Sequence, residues 1–280
     1  MQRVAIIGAG ELGGATAHAL ARSNLVRSIT LIDETRRVAA GKALDIAQAA
    51  PVEGFATQLS GDTDVSMAAG ASIVILADRA AGGEWQGEDG LVLLRRLSHT
   101  AAGAVIVCAG PSQRELVDRG VRELKCSRTR LFGSAPESMA AAARALVALA
   151  IDGSPRDIAL SVLGVPPAQT VIPWADATAA GFALTRLVDE PARRRLAARV
   201  FALWPPGPYA LAAAVTTVVE AMAGRSRRAV SCFVAPDLST GAHTRTGAMP
   251  VRLGSAGIVS VVLPSLSAVE QVALDNALML

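Results

Sequence analysis

The stretch MQRVAIIGAGELGG at the start of the chain constrains its fold more than any other segment. Val4, Ala5, Ile6 and Ile7 form a short unbroken apolar run, the pattern of a parallel strand buried on both faces. The run stops at Gly8, and Gly8, Gly10 and Gly13 then give the spacing G-x-G-x-x-G. In a dinucleotide-binding unit the first glycine makes the tight turn and the second lets a pyrophosphate approach the backbone. The third lets the following helix pack close to the strand. A helix is expected from Glu11 through Ala15, Ala17, Leu20 and Ala21. Its unpaired N–H groups and positive dipole end make Gly10, Glu11 and Leu12 the phosphate cradle.

Glycines alone are weak evidence, and the residues after them supply the context. Ser28 to Asp33 reads as a second strand ending in an acid, twenty residues beyond Gly13. A carboxylate there can accept hydrogen bonds from the adenosine ribose and would repel a 2′-phosphate, so NAD is the expected cofactor over NADP. Arg36 and Arg37, close behind, weigh slightly the other way. Thr35 is an expected N-cap for a helix ended by Pro51, and Phe55 to Leu59 reads as a strand. Ala71–Ala77 and Ala104–Ala109 are further buried strands, separated by a helix carrying Leu91, Leu93, Leu94 and Leu97. Leu116–Leu124 suggests another helix and Arg130–Phe132 a sixth strand. This alternation predicts a doubly wound parallel sheet, with ligand beyond the strand ends at Gly8, Ala77 and Ala109.

After Pro136 the pattern changes. Helices are expected over Glu137–Ile151, through Leu196, Val200 and Leu203, and over Tyr209–Met222, with a strand at Ile158–Leu163. Three short strands follow, near Val230–Val234, Met249–Leu253 and Ile258–Leu263, then a helix from Ser267. Short connections between strands predict an α+β second half. The expected division is therefore 1–136 for a Rossmann-type dinucleotide domain and 137–280 for an α+β domain.

Composition narrows the remaining classes. With 51% hydrophobic and 18% charged residues the chain can build a large core. Its longest apolar stretches are interrupted by Arg144, Asp176 and Glu220, short of the roughly 18 clean residues of a membrane span. The first strand follows Met1 directly, so no signal peptide is expected. Cys108, Cys126 and Cys232 show neither metal-ligand spacing nor a disulfide framework, which fits a reducing cytoplasm. The net charge of +3 is carried almost wholly by arginine. Arg193–Arg195 and Arg225, Arg227 and Arg228 read as helix faces and ends, not as a nucleic-acid footprint.

Together with the glycine motif, the stretch from Gly41 to Gly54 (GKALDIAQAAPVEG) and the ending Met249-Pro-Val-Arg-Leu-Gly254 resemble the lactate/malate dehydrogenase family. The resemblance spans the whole chain, and the stretch from Gly41 resembles malate dehydrogenases in particular. It implies a Rossmann domain followed by a substrate-type domain over 137–280, NAD, hydride exchange with a 2-hydroxy acid, and a homodimer or homotetramer. That reaction needs an imidazole to take the hydroxyl proton, an acid to orient it, and arginines to grip a carboxylate.

Those parts do not match here. The family segment L-G-x-H-G-D reads Leu163-Gly-Val-Pro-Pro-Ala168, so Pro166 falls at the histidine position. The histidines, His18, His99 and His243, fall on the first helix, near the end of a later helix and in a polar loop. The loop after the fourth strand, Asp78–Gly90, has Arg79 at its edge and no Arg or Lys from Ala80 through Leu94, but carries Glu84, Glu88 and Asp89. The family's D-S-A-R reads Glu137-Ser-Met-Ala140, keeping an acid and losing the arginine. Arg144, a turn further along, is expected to be solvated, with a reach into the cleft as the alternative. The family's Asn after the fifth strand is Gly110, followed by Pro111.

Three readings follow. The first is an NAD-binding member without the standard chemistry, a pseudoenzyme or sensor. The second is an oxidoreductase on an unknown, non-dicarboxylate alcohol, with Glu137, Glu84, Asp176 or Tyr209 as acid/base and Trp85 and Trp174 lining an apolar pocket. The third, least supported by these residues, is an active malate or lactate dehydrogenase.

Overall fold

The computed structural model describes residues 3–237 and 244–279. Alternating strands and helices fill its first half: β1 (Arg3–Ile7), α1 (Glu11–Arg22), β2 (Ser28–Ile32), α2 (Arg36–Glu53), β3 (Gln58–Asp62), β4 (Ile73–Leu76), α3 (Gly87–Thr100), β5 (Val105–Cys108), α4 (Arg114–Arg122) and β6 (Leu131–Gly133). These strands pair in parallel in the order β3-β2-β1-β4-β5-β6. The order reverses between β1 and β4, which opens a crevice at their C-terminal ends. Residues of β1, β4 and β5 are buried on both faces, as their apolar runs predict.

Next come α5 (Ala135–Ala150), β7 (Ile158–Ala159), β8 (Leu163–Val165), β9 (Gln169–Val171), β10 (Thr178–Ala179), β11 (Phe182–Ala183), α6 (Leu184–Leu187), α7 (Glu190–Phe201), α8 (Pro208–Met222), β12 (Val230–Val234), β13 (Gly247–Gly254), β14 (Gly257–Val261) and α9 (Ala268–Leu278). The large sheet continues through β12, β13, β8 and β9 with antiparallel pairing, and β14 pairs β13. Strands β11, β10 and β7 form a small separate sheet. The mixed architecture predicted from the sequence is thus the one observed. One core, containing Ile6, Leu20, Ile29, Leu31 and Phe132, also takes in Val215 and Val219 of α8. A second, under α3 and α4, holds Leu76, Leu94 and Val117.

Local differences have local causes. Helix α2 runs past Pro51 to Glu53 and ends at Gly54, whose φ of 72° and N–H bond to the Ala50 carbonyl make a left-handed cap. Pro51 has no N–H to offer the Ala47 carbonyl, so the helix forgoes one bond there and stops within the same turn. Strand β3 starts at Gln58, later than expected. Phe55 is instead a core plug, and Thr57 Oγ1 donates to the Val26 carbonyl at 2.9 Å. Gly61 allows α2 to lie on β3, since a Cβ there would overlap the backbone of Ala39 and Ala40. The single strand expected at Ile158–Leu163 is split: β7 joins the small sheet and β8 the large one. The final helix has the capping box Ser267–Glu270.

Candidate cofactor cleft

The glycine loop is built as its spacing requires. Gly8 has a φ of 113° and its N–H meets the Ile32 carbonyl at 2.7 Å. A Cβ on Gly13 would overlap the Gly8 carbonyl oxygen, so only glycine lets α1 start this close to the turn. Lys42 Nζ donates to the Gly10 carbonyl at 2.6 Å, tying α2 to the loop.

Asp33 stands at the end of β2, buried beside that loop. Its Oδ2 accepts N–H bonds from Ala9 at 2.9 Å and Ala80 at 2.8 Å, and its Oδ1 one from Thr35 at 2.9 Å. It also lines a cleft of about 350 Å³ at the strand ends, with Glu34, Thr63, Arg79, Trp85, Asp89 and Arg96 around it. Arg79 lies over the Trp85 ring, 4.9 Å from its centroid, and its Nη1 is 3.6 Å from Asp89. Ala77 and Ala109 occupy the expected strand ends, but both are fully buried with their methyl groups in the core. The following residues, Asp78 and Gly110, meet the cleft segments instead.

The segment after β4 turns back tightly. Asp78 and Glu84 form a bridge, Arg79 N–H bonds the Gly83 carbonyl at 2.9 Å, and Gly82 and Gly83 have φ of 93° and 83°. One end of this hairpin puts Asp78 on the glycine loop, where Gly13 N–H donates to Asp78 Oδ1 at 3.0 Å. The other end puts Glu84 on the turn after β5, where Glu84 Oε2 accepts from Ser112 N–H at 3.0 Å. Burial pushes the Glu84 carboxyl above its ordinary range. Hydrogen bonds from Ser112 oppose that rise and the Asp78 charge adds to it. In the sequence Asp78 reads only as the start of a loop. The signal available there is an acid placed directly after a buried strand that flanks the crevice.

Glu137, at the family acid position, is 2% exposed and committed to structure. Its Oε1 accepts from Arg144 Nη2 at 2.5 Å and Arg228 Nη2 at 2.7 Å, and its Oε2 from Ser231 N–H at 2.9 Å. Arg144 is therefore neither solvated nor free to enter the cleft: it is buried and also donates to the Leu160 carbonyl at 3.1 Å. Pro166 lies just past β8. His18 bonds Glu53 at 2.8 Å on the helix surface, and His99 is exposed in the last turn of α3. His99 lies one turn of α3 beyond Arg96, a cleft-lining residue of that helix, and does not itself line the cleft. His243 lies outside the described residues. Tyr209 is 83% exposed, and Asp176 lines a small separate cavity with Arg228. Trp174 packs on the core of α5 and α7, so it does not share a pocket wall with Trp85. Burial pushes the Cys108 and Cys232 thiols up, as expected of inert core residues. No described helix is long and apolar enough to cross a membrane.

Residues 2–92 match the model of the lactate/malate dehydrogenase NAD-binding domain. A malate dehydrogenase of Thermomicrobium roseum is 28% identical over 294 residues, covering 99% of this chain and 94% of its own. An L-lactate dehydrogenase of Allorhizobium ampelinum is 25% identical over 300 residues, covering 98% and 96%. The match over residues 2–92 and the full-length similarity to these enzymes support the lactate/malate dehydrogenase family. Among solved structures, the malate dehydrogenase of Salinibacter ruber superposes with a TM-score of 0.87 at 22% identity, covering 98% of this chain and 93% of that one. NAD is the cofactor of the matched domain. The glycine turn, Asp33 and the adjoining cleft fit its adenosine half. The pyrophosphate position does not fit as it stands, because the Asp78 carboxylate lies there.

Proposed function

We propose that this protein binds NAD(H) without the hydride exchange with malate or lactate that the resemblance implies, and acts as a pseudoenzyme or dinucleotide-sensing subunit. The observation that carries this reading is the fate of Glu137. The acid is 2% exposed and engaged by two arginines and a backbone N–H, so it serves a structural ion cluster, and Pro166 offers no imidazole for it to orient. The cleft has also gained carboxylates where a dianionic substrate needs cations. In this reading residues 1–136 form the NAD-binding unit, with Gly8, Gly10, Glu11, Leu12, Gly13 and Asp33 about the cofactor, and 137–280 form the substrate-type unit. The protein is a homodimer or homotetramer of a reducing cytoplasm, with no nucleic-acid or membrane partner. Calorimetry with NADH and NADPH, beside steady-state assays on malate and lactate, tests it. NADH is expected to bind more tightly than NADPH. A kcat/KM for malate at or above about 10⁴ M⁻¹s⁻¹ would overturn the reading.

One observation favours a second reading, an oxidoreductase on a neutral or cationic alcohol. Glu84 is partly buried at the strand ends with its carboxyl raised above the ordinary range, the property of a general base. NADH formation from neutral alcohols or amino alcohols that disappears in Glu84→Gln would support this second reading.

A further inference from the structure

The cleft contains a mismatch that none of the family's own features explains. The second glycine of a dinucleotide loop exists so that a pyrophosphate can lie against the backbone, at the positive end of the first helix. Gly10 keeps that surface bare, yet a Cβ built on it would overlap the Asp78 carboxylate, so a carboxylate of this chain already covers it. The same carboxylate accepts the Gly13 N–H bond at 3.0 Å, and Gly10 N–H is held at 2.9 Å by the Asp78 backbone carbonyl. An anion therefore occupies an anion's position, supplied from within the chain.

We propose that Asp78 is a built-in competitor for the pyrophosphate, and that NAD(H) binds only when the 78–84 hairpin releases the glycine loop. The proposal rests on the NAD-binding reading above. Phosphate and carboxylate cannot share the surface over Gly10, by volume or by charge. The hairpin is held shut from several sides. Asp33 Oδ2 accepts from Ala9 of the glycine loop and from Ala80 of the hairpin, so one carboxylate clamps the two together. Ser112 N–H holds Glu84 at the far end, and Arg79 is set between Trp85 and Asp89. These attachments are few, polar and local, the kind that open without unfolding the sheet. Asp33 matters doubly: a ribose hydroxyl bonding to it would compete with the Ala80 N–H that anchors the hairpin.

The test is NADH binding, measured by calorimetry, to the unmodified protein, Asp78→Asn and Asp78→Ala, with Glu190→Gln on the exposed start of α7 as a charge control. Both Asp78 variants are expected to bind NADH at least about tenfold more tightly than the unmodified protein, and Glu190→Gln to be unchanged. In the unmodified protein, saturating NADH is expected to speed hydrogen exchange at the amides of Arg79 and Ala80, which the closed hairpin protects; this needs no variant to fold. If the unmodified protein binds NADH as tightly as the Asp78 variants, or its hairpin amides stay protected with NADH bound, the competitor proposal fails while the cofactor reading survives. If no form binds NADH, both fail.

Discussion

Replacing Glu137 by Gln distinguishes an acid used for structure from one used for chemistry. The carboxylate is 2% exposed and receives three hydrogen bonds, from Arg144, Arg228 and the backbone of Ser231. Arg144 has a 9% exposed side chain, whereas that of Arg228 is 44% exposed. Removing the charge leaves the Arg144 guanidinium buried without a counter-ion, and breaking such a pair typically costs about 3–5 kcal/mol. Glutamine keeps one acceptor oxygen for the arginines but must turn an NH₂ group toward the Ser231 N–H or a guanidinium, donor against donor. A loss of about 3 kcal/mol is therefore expected for Glu137→Gln, read as a lowered urea midpoint with unchanged slope. Arg228→Met should cost no more than about 1 kcal/mol, because its solvated head gains little from the pair. Glu137→Gln combined with Arg144→Met should recover part of the single-variant loss, since the orphaned charge goes with its partner. A cost below about 1 kcal/mol for Glu137→Gln would refute the account of a structural ion cluster.

Three further outcomes follow from named contacts. Because folding raises the Glu84 carboxyl, its ionisation works against the native state: stability is highest below the unfolded carboxylate range and falls as pH rises through the folded value. Glu84→Gln should therefore raise Tm at about pH 8 and leave it nearly unchanged at about pH 4; equal shifts at both would contradict the assignment. Gly13→Ala should destabilise by about 1–3 kcal/mol in urea and weaken NADH binding, since its methyl would strike the Gly8 carbonyl and push α1 off β1. Pro166→His should restore little malate turnover, because Glu137 is not available to orient the new imidazole and no arginine replaces Ala140; a steady-state NADH assay with strong activity would show that account of the site to be wrong.

The parts of the fold legible in the sequence are those set by runs of one residue type. Ile6–Ile7, Ile73–Leu76 and Val105–Cys108 declare buried strands, and the three glycines declare the turn, because each pattern has one low-energy solution. The two-residue strands β10 and β11 do not show, since two residues carry no period to read, and the break between β7 and β8 inside the expected Ile158–Leu163 strand does not show either. At the site, the lack of a histidine in the catalytic segment is visible from the sequence, but the burial of Arg144 is not. Its guanidinium is buried where Arg228 and Ser231, more than eighty residues away, arrive at the same carboxylate. Spacing within one helix cannot report a partner brought in by another strand.

The acids of this chain also show why sequence position alone does not assign a role. Asp33, Asp78, Glu84 and Glu137 are all carboxylates near strand or helix ends, and each has a different set of partners. Glu137 faces two guanidinium groups and is neutralised by them. Asp33 is saturated by backbone N–H groups from both sides of the crevice, so it joins the glycine loop to the hairpin while remaining at the cleft edge. Asp78 and Glu84 each take a backbone N–H and, among the described residues, make no ion pair like those of Glu137; each adds to the negative field at the strand ends. A dinucleotide entering this cleft brings two more negative charges to a surface already holding the carboxylates of Asp33, Asp78 and Glu84. Affinity for NADH should then depend on ionic strength in the sense opposite to ordinary phosphate sites, tightening as salt rises, because screening relieves repulsion here where it usually weakens attraction. Weaker NADH binding at about 0.5 M salt than at about 0.05 M, measured by calorimetry, would mean that Lys42, Arg79 and Arg96 dominate the field and that the carboxylates are not what opposes the cofactor.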